Sequence, residues 1–168
     1  MIELLDILDS KGEIIGKATR DECHNGSFLL HSVVHVFVFN DSGSLLLQKR
    51  SKTKEVQPGK WDTSVGGHIA SDETLSQALE RETEEELGIR KISFEKLYSY
   101  IMVSEIEREF VTTFRCRWNG PVKIQEDEID EARFFTPAEI EKNSGTGFFT
   151  PNFEEEWEYY KEFMANSK

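Results

Sequence analysis

Residues 72–87 form the segment that most restricts how this chain folds, because their apolar residues repeat with the period of an α-helix. On a helical wheel the inward-facing positions are Leu75, Ala78 and Leu79. Ser71 or Asp72 is the predicted N-cap, and Gly88 follows where helices commonly end in a left-handed residue. A helix with one apolar face must pack that face against a second layer of structure.

The glutamates of this helix do not all lie on its polar side. Glu80 and Glu84 point away from the apolar stripe, as solvated side chains do. Glu82 and Glu86 instead continue the stripe, and Glu85 lies at its edge. Carboxylates three and four residues apart on a helix are neighbours, so they repel and raise each other's pKa. The pattern therefore predicts a bound divalent cation, and Mg²⁺ is expected because it prefers carboxylate oxygens.

Short β-branched and aromatic runs surround the helix and predict a mixed β-sheet. The predicted strands span residues 3–8, 13–19, 33–39, 44–48, 61–65, 92–103, 108–118 and 132–135. Pro137 opens a short helix, and Asn152 caps a last one. Since no repeat or linker interrupts this order, we expect one domain over residues 1–168. Its expected class is α+β, an α/β/α sandwich with helices flanking the sheet.

The charge of the chain limits the classes of partner. The formal net charge is −12, and no basic stripe for binding nucleic acid is visible. An acidic protein binds an anionic small molecule when divalent cations lie between the two. The longest apolar run, residues 33–39, is too short to span a membrane, and the N-terminus does not read as a signal peptide. We therefore expect a cytoplasmic protein without membrane or nucleic-acid partners.

Residues 67–89 read GHIASDETLSQALERETEEELGI and closely resemble the Nudix box, G-x5-E-x7-R-E-U-x-E-E-x-G-U, in which U is bulky and aliphatic. The matched positions are Gly67, Glu73, Arg81, Glu82, Glu85, Glu86, Gly88 and Ile89. Thr83 stands at the first U position, and its size is similar to that of valine. The resemblance implies the Nudix fold and a hydrolase that cleaves a diphosphate linkage.

The resemblance also assigns roles to the box residues. Glu82, Glu85 and Glu86 are expected to bind Mg²⁺, with Mn²⁺ as the alternative ion, and the Gly67 carbonyl is expected to help. Arg81 is expected to pair with one of these carboxylates and fix its rotamer.

In the scheme that the resemblance implies, one of three glutamates removes a proton from the attacking water, and three other residues are candidate substrate contacts. The candidate bases are Glu85, Glu86 and Glu109, the last on a neighbouring strand. Lys49 and Arg50 at a strand end are candidate phosphate contacts, and Trp61 is a candidate platform for a nucleobase.

Residues 45–68 further resemble the branch that groups isopentenyl-diphosphate isomerase with isomerase-like Nudix hydrolases. In the isomerase, two histidines seven residues apart, a third histidine and an E-x-E pair hold a metal. The corresponding residues here are His24, His31, His68, Glu107 and Glu109. They form a candidate second metal site, for which imidazole ligands favour Mn²⁺ or Zn²⁺.

The catalytic cysteine of the isomerase corresponds to Gly66, which can neither donate nor accept a proton. The sequence therefore favours hydrolysis of a nucleoside di- or triphosphate, or of a nucleoside diphosphate linked to another moiety. The alternatives are an isomerase-like enzyme and a non-catalytic nucleotide-binding module. His35, inside an apolar strand, is predicted to be a hydrogen-bonded core residue, and the sequence leaves monomer and homodimer equally open.

Overall fold

The computed structural model describes residues 2–168, which fold into a nine-stranded sheet and four helices. In chain order the elements are β1 (Leu4–Leu8), β2 (Ile14–Thr19), α1 (Arg20–Cys23), β3 (Leu30–Phe39), β4 (Leu45–Arg50), β5 (Trp61–Asp62), β6 (Val65–His68), α2 (Leu75–Leu87), β7 (Glu95–Val103), β8 (Arg108–Arg117), β9 (Ile129–Phe135), α3 (Pro137–Asn143) and α4 (Pro151–Asn166).

Strand β3 organises the sheet, because four of the other strands pair with it. It runs parallel to β8, in a register that extends from Leu30 opposite Arg108 to Phe39 opposite Arg117. It runs antiparallel to β1, β4 and β6. Of the remaining strands, β2 pairs with β1, β7 with β8, and β5 and β9 with β4. The predicted mixed sheet is thereby confirmed.

Helices cover both faces of this sheet, which confirms the expected α+β sandwich. Successive side chains of a strand point to opposite faces. On β3, Val36 and Val38 belong to the apolar cluster that includes Ala78, Leu79 and Leu87 of α2. Phe37 belongs to the opposite cluster, with Ile140 of α3 and Phe153 and Trp157 of α4. No helix in the described part of the chain is both long and apolar enough to cross a membrane.

Two predicted N-caps are wrong, and both true caps are threonines. Helix α2 begins after Thr74, whose side chain accepts a hydrogen bond from Gln77 in a capping box, instead of after Ser71 or Asp72. Helix α4 begins after Thr150, and Asn152 already lies in its first turn. The predicted end of α2 is confirmed, since Gly88 has a left-handed φ of 68°.

The predicted strand 61–65 is in fact two short strands. Trp61 pairs with β4, whereas Val65 begins β6 and pairs with β3. Gly66 and Gly67, which lie beyond the predicted strand, are part of β6, opposite His35 and Val34. This pairing places both glycines in the sheet directly beneath α2.

Candidate active site

A cavity of about 530 Å³ lies between α2, the ends of β3 and β6, and the first turn of α4. Carboxylates dominate its walls, and they come from the box helix, from β8 and from the loop before β8. The lining carboxylates include Glu82, Glu85, Glu86, Glu107 and Glu109. Both sequence-predicted sets of metal ligands therefore contribute to one cavity wall, although His31 is buried behind it and does not line the cavity.

Arg81 holds the box together on one side of this cavity. Its Nε and Nη2 donate to the two carboxylate oxygens of Glu73 at 2.7 and 2.8 Å, a bidentate pair. Its Nη1 donates to Glu82 at 2.7 Å and lies 3.4 Å from a carboxylate oxygen of Glu85. Its Nη2 also donates to the backbone carbonyl of His68 at 3.1 Å. The guanidinium thus links Glu73 near the start of the box, Glu82 of α2 and the backbone of β6. The sequence predicted that Arg81 pairs with one carboxylate of the box, and Glu82 is such a partner.

Glu82 occupies space that exists only because residue 67 is glycine. A β-carbon on Gly67 would overlap the carboxylate of Glu82. Burial raises the pKa of Glu82, and the hydrogen bond from Arg81 opposes that rise. The carboxylate is therefore pressed against the backbone whose carbonyl is expected to share its metal.

Glu86, one helical turn further on, is buried more deeply. Its Oε2 accepts from the Gln48 side chain at 2.7 Å and from the Gly66 amide at 3.3 Å. Burial, followed by the charge of Glu82, raises its pKa to about 8. Carboxylates that are buried together stabilise a cation between them, so these oxygen donors fit a hard divalent ion. Glu85 is about half exposed and turns toward Arg81.

The second predicted ligand set forms a tight cluster, hereafter the histidine centre. One donor atom from each of His24, His31, His68 and Glu109 lies within 4.8 Å of all the others. The Nε2 atoms of His24 and His68 are 3.0 Å apart, and the fifth predicted ligand, Glu107, is 3.0 Å from His24. Among the described residues this is the group of four donors that converges most closely, whereas the box carboxylates are spread along one wall.

His31 shows why the histidine centre suits a metal. Its Nδ1 is hydrogen-bonded to the Leu29 carbonyl at 2.9 Å, so Nε2 faces the cluster. That Nε2 is fully buried and has no hydrogen-bond partner among residues 2–168. Burial lowers the pKa of His68 to about 3 and also lowers that of His24, so both rings keep a free lone pair.

Glu107, the fifth predicted ligand, is perturbed in the opposite direction: burial and the charge of Glu109 raise its pKa to about 7.

The predicted substrate contacts are only partly brought to the cavity. Arg50 lines it, while its Nε is bonded to the Val56 carbonyl at 3.0 Å. Lys49 does not line it, because alternate residues of β4 point to opposite faces. Trp61 is only 5% exposed and packs edge-on to Phe135, so its burial in the core corrects the expected stacking role. Lys54, which sequence reasoning missed, lines the cavity beside Arg50.

Comparison with known proteins decides the family. The model of the NUDIX domain matches residues 29–156, which include the complete box and the strands on either side of it. The chain belongs to the Nudix family. The matched region contains all the residues that line the cavity except Glu3, Arg20 and His24.

Relatives agree with this assignment along most of their length. The Nudix hydrolase YfcD of Escherichia coli K12 is 34% identical over 138 residues, which cover 82% of this chain and 76% of that protein. The Nudix hydrolase lmo0368 of Listeria monocytogenes is 36% identical over 154 residues, which cover 90% of each chain. The crystal structure of DR0079 from Deinococcus radiodurans has a TM-score of 0.77 at 26% identity, and covers 88% of this chain and 92% of that one.

This chain is therefore a Nudix pyrophosphohydrolase. The family does not fix the branch within it, and the isomerase alternative is not favoured, because Gly66 leaves that chemistry without its cysteine. Thr83, the one departure from the box, is completely buried, and its hydroxyl has no hydrogen-bond partner among the described residues. The fold thus accepts threonine as a filler of apolar volume there.

His35 adds a group to the Nudix cavity that the sequence did not assign to it. Its Nδ1 is hydrogen-bonded to Glu156 at 2.6 Å, which confirms the predicted hydrogen bond, yet the ring also lines the cavity. Burial alone lowers the pKa of an imidazole, but the charge and hydrogen bond of Glu156 raise that of His35 to about 9. No local signal reveals this pair, since 121 residues separate the partners.

Proposed function

We propose that this Nudix enzyme uses Mg²⁺, with Mn²⁺ as the alternative, to hydrolyse the phosphoanhydride bond of a nucleotide. The substrate class is a nucleoside di- or triphosphate, or a nucleoside diphosphate linked to another moiety. The observation that carries the proposal is the close contact of the Glu82 carboxylate with Gly67. Buried Glu86 lies beside Glu82 in the same cavity. Carboxylates packed against a carbonyl-bearing backbone form an oxygen-rich site suited to Mg²⁺.

Each residue of the site has a defined role in this proposal. Glu82, Glu85, Glu86 and the Gly67 carbonyl hold the ion, and Arg81 fixes the orientation of Glu82 and Glu85. When bound, the metal neutralises phosphate charge and activates water. Arg50 and Lys54, which lie against Asp62 and Glu128, also line the cavity, and their positive charges are suited to bind phosphate oxygens.

Removal of the proton from water is assigned to one of three carboxylates that line the cavity, Glu85, Glu86 or Glu109. Substitution of each by glutamine separates them. The variant that lacks the base should show the largest loss of kcat at saturating Mg²⁺, because Glu85 and Glu86 are also proposed ligands and excess Mg²⁺ compensates for a weakened affinity. A variant that lacks a ligand loses the affinity for Mg²⁺ as well.

We also propose that the histidine centre binds Mn²⁺ or Zn²⁺ through His24, His31, His68 and Glu109, with Glu107 as a further ligand. The support is the convergence of four donor atoms within 4.8 Å and the buried, unpartnered Nε2 of His31. Imidazole nitrogens together with a carboxylate suit these ions better than Mg²⁺.

A substrate screen tests the main proposal. Nucleotides and nucleoside diphosphate conjugates are incubated with enzyme and Mg²⁺, and released phosphate or nucleotide is measured. Glu86→Gln should reduce turnover at least about 100-fold, since even outer-shell changes cost 10–100-fold at metal sites. Glu80→Gln is the matched control on the exposed side of α2 and should keep wild-type turnover.

Two results would overturn the proposal: no turnover of any diphosphate compound, or equal turnover by the Glu86→Gln variant and the wild type. Tight nucleotide binding without turnover would instead identify a non-catalytic module. Isopentenyl diphosphate is assayed in parallel, and no isomerisation is expected because position 66 carries no side chain.

A further inference from the structure

One corner of the cavity has a chemistry different from that of its carboxylate walls. We call it the His35 corner, and its residues are His35, Thr63, Gly66, Thr150 and Asn152. Strands β3 and β6 supply His35 and Gly66 as directly paired residues. Thr150 and Asn152, at the start of α4, complete the corner opposite His35 and Gly66. The corner is thus built from three elements that pack against each other in the fold.

The His35 ring is held in one orientation. Glu156 is only 1% exposed, and its Oε2 accepts from Nδ1 of His35. Its Oε1 accepts from the Thr113 hydroxyl at 2.5 Å and from the Tyr98 hydroxyl at 3.3 Å. Because three donors hold the Glu156 carboxylate in place, the carboxylate in turn holds the orientation of the His35 ring. The Nε2 atom then lies on the side of the ring away from Glu156.

That Nε2 is free to bind a ligand. It has no hydrogen-bond partner in the described part of the chain, and it is not among the fully buried unpaired atoms. Gly66 keeps it accessible, because a β-carbon there would lie 3.2 Å from Cδ2 and 3.4 Å from Nε2 of His35. Any larger residue at position 66 would cover the ring.

The corner offers an anion the end of a helix dipole, beside the carboxylates that are proposed to bind Mg²⁺. Asn152 and Glu156 are four residues apart on α4, so one face of that helix both lines the corner and anchors His35. The start of α4 carries the positive end of the helix dipole. The Gly66 amide lies 3.3 Å from Glu86, so an anion in this corner lies next to the proposed Mg²⁺ ligands.

We propose that His35, held by Glu156, donates a hydrogen bond from Nε2 to a phosphate oxygen of the bound substrate in the corner that Gly66 leaves open. This assignment rests on the proposed function and adds a substrate-binding residue to it. The imidazolium supplies a fixed positive charge where the metal-binding walls supply negative ones. It therefore stabilises the diphosphate from the side opposite to α2.

The test uses imidodiphosphate, a diphosphate with an NH bridge, added to the full chain in excess Mg²⁺. In wild-type protein labelled with ¹⁵N at histidine, the Nε2 resonance of His35 should shift as the probe binds. In calorimetry, His35→Gln should bind the probe about 10- to 100-fold more weakly, which matches the loss of a hydrogen bond to a charged group. Gly66→Ala, which keeps His35 but places a methyl group over it, should weaken binding in the same direction.

A matched control is Gly16→Ala, also within a strand, where an added β-carbon meets nothing within 4 Å; it should bind the probe like the wild type. An unmoved His35 resonance, together with wild-type affinity in both His35→Gln and Gly66→Ala, overturns the inference. If His35→Gln fails to fold, the labelled wild type and Gly66→Ala still decide it.

The failure of this inference is distinguishable from failure of the proposed function. Hydrolysis of a nucleotide with normal KM in His35→Gln would refute the His35 assignment alone. A shifted His35 resonance in a protein that hydrolyses no diphosphate would uphold the anion contact and refute the hydrolytic proposal.

Discussion

The carboxylate of Glu82 lies in the space that a β-carbon of Gly67 would occupy. The two residues come from different elements, α2 and β6, and Arg81 holds the carboxylate in place with a hydrogen bond of 2.7 Å. The contact explains why the box begins with glycine: the backbone must approach a metal-binding carboxylate closely. Side-chain volume at position 67 and metal binding at position 82 are therefore linked.

Replacement of Gly67 by alanine should displace Glu82 and weaken Mg²⁺ binding about 10- to 100-fold, the range for changes that disturb ligand orientation. The apparent affinity for Mg²⁺ is measured from the metal dependence of turnover. Gly16→Ala is the control, because its added methyl group meets open space. Equal Mg²⁺ dependence in the wild type and Gly67→Ala would contradict the link between the two residues.

Arg81→Lys should lower kcat and weaken Mg²⁺ binding, even though the charge is kept. Lysine has a single ammonium group, so it cannot reproduce the bidentate pair with Glu73 and also reach Glu82. Arg115→Lys is the matched control, since Arg115 forms a bidentate pair with Glu95 on the exposed side of β8, outside the cavity. Its kinetics should equal those of the wild type, and equal losses in both variants would count against a specific role for Arg81.

The His35–Glu156 pair should make folding stability depend on pH. The pKa of His35 is raised to about 9 in the folded state, so the pair's contribution is fully present below about 6.5 and is lost as pH rises through about 9. The full contribution is on the order of 3 kcal/mol. The other titratable groups that act on the pair are Tyr98, Tyr100, Glu109 and Asp62.

Denaturant unfolding from pH 6 to pH 10 measures this effect. The free energy of unfolding of the wild type should fall over that window, and Glu156→Gln should remove most of the slope because the imidazolium loses its carboxylate. Glu162→Gln, an exposed change on the same helix, should retain the wild-type slope. The same slope in Glu156→Gln and the wild type would show that Glu156 does not set the pKa of His35.

Removal of metal from the histidine centre should lower the melting temperature, since a ligand that binds only the folded state stabilises it. Protein dialysed against a chelator should melt lower than the same protein with added Zn²⁺. His31→Asn should lose that response. Glu82→Gln should keep it, because Glu82 belongs to the other ligand set. An identical metal response in His31→Asn and the wild type would refute the proposed centre.

Local patterns in the sequence determined the elements and the chemistry of the box. The helical period over 72–87, the glycine at its end and the fixed spacing of Arg81 with its glutamates depend only on neighbouring residues, so they can be derived from the chain alone. The order of strands around that helix was likewise sufficient for the α+β class. The two caps were misplaced because Ser71, Asp72 and Asn152 all suit an N-cap, although the capping box of Thr74 with Gln77 and the proline after Thr150 are local signals for the true caps.

The tertiary structure decided which distant residues meet. Glu156 reaches His35 across 121 residues because α4 packs on the sheet face opposite to α2, and no sequence spacing encodes that contact. The same packing buries Trp61. The loop between β4 and β5 brings Lys54 to the cavity. The sequence by itself determined the glutamates and histidines that suit metal ions, because their residue types and spacings are local. Only the fold decided that both sets contribute to one cavity wall, since that depends on how β3, β6, β8 and α2 pair and pack.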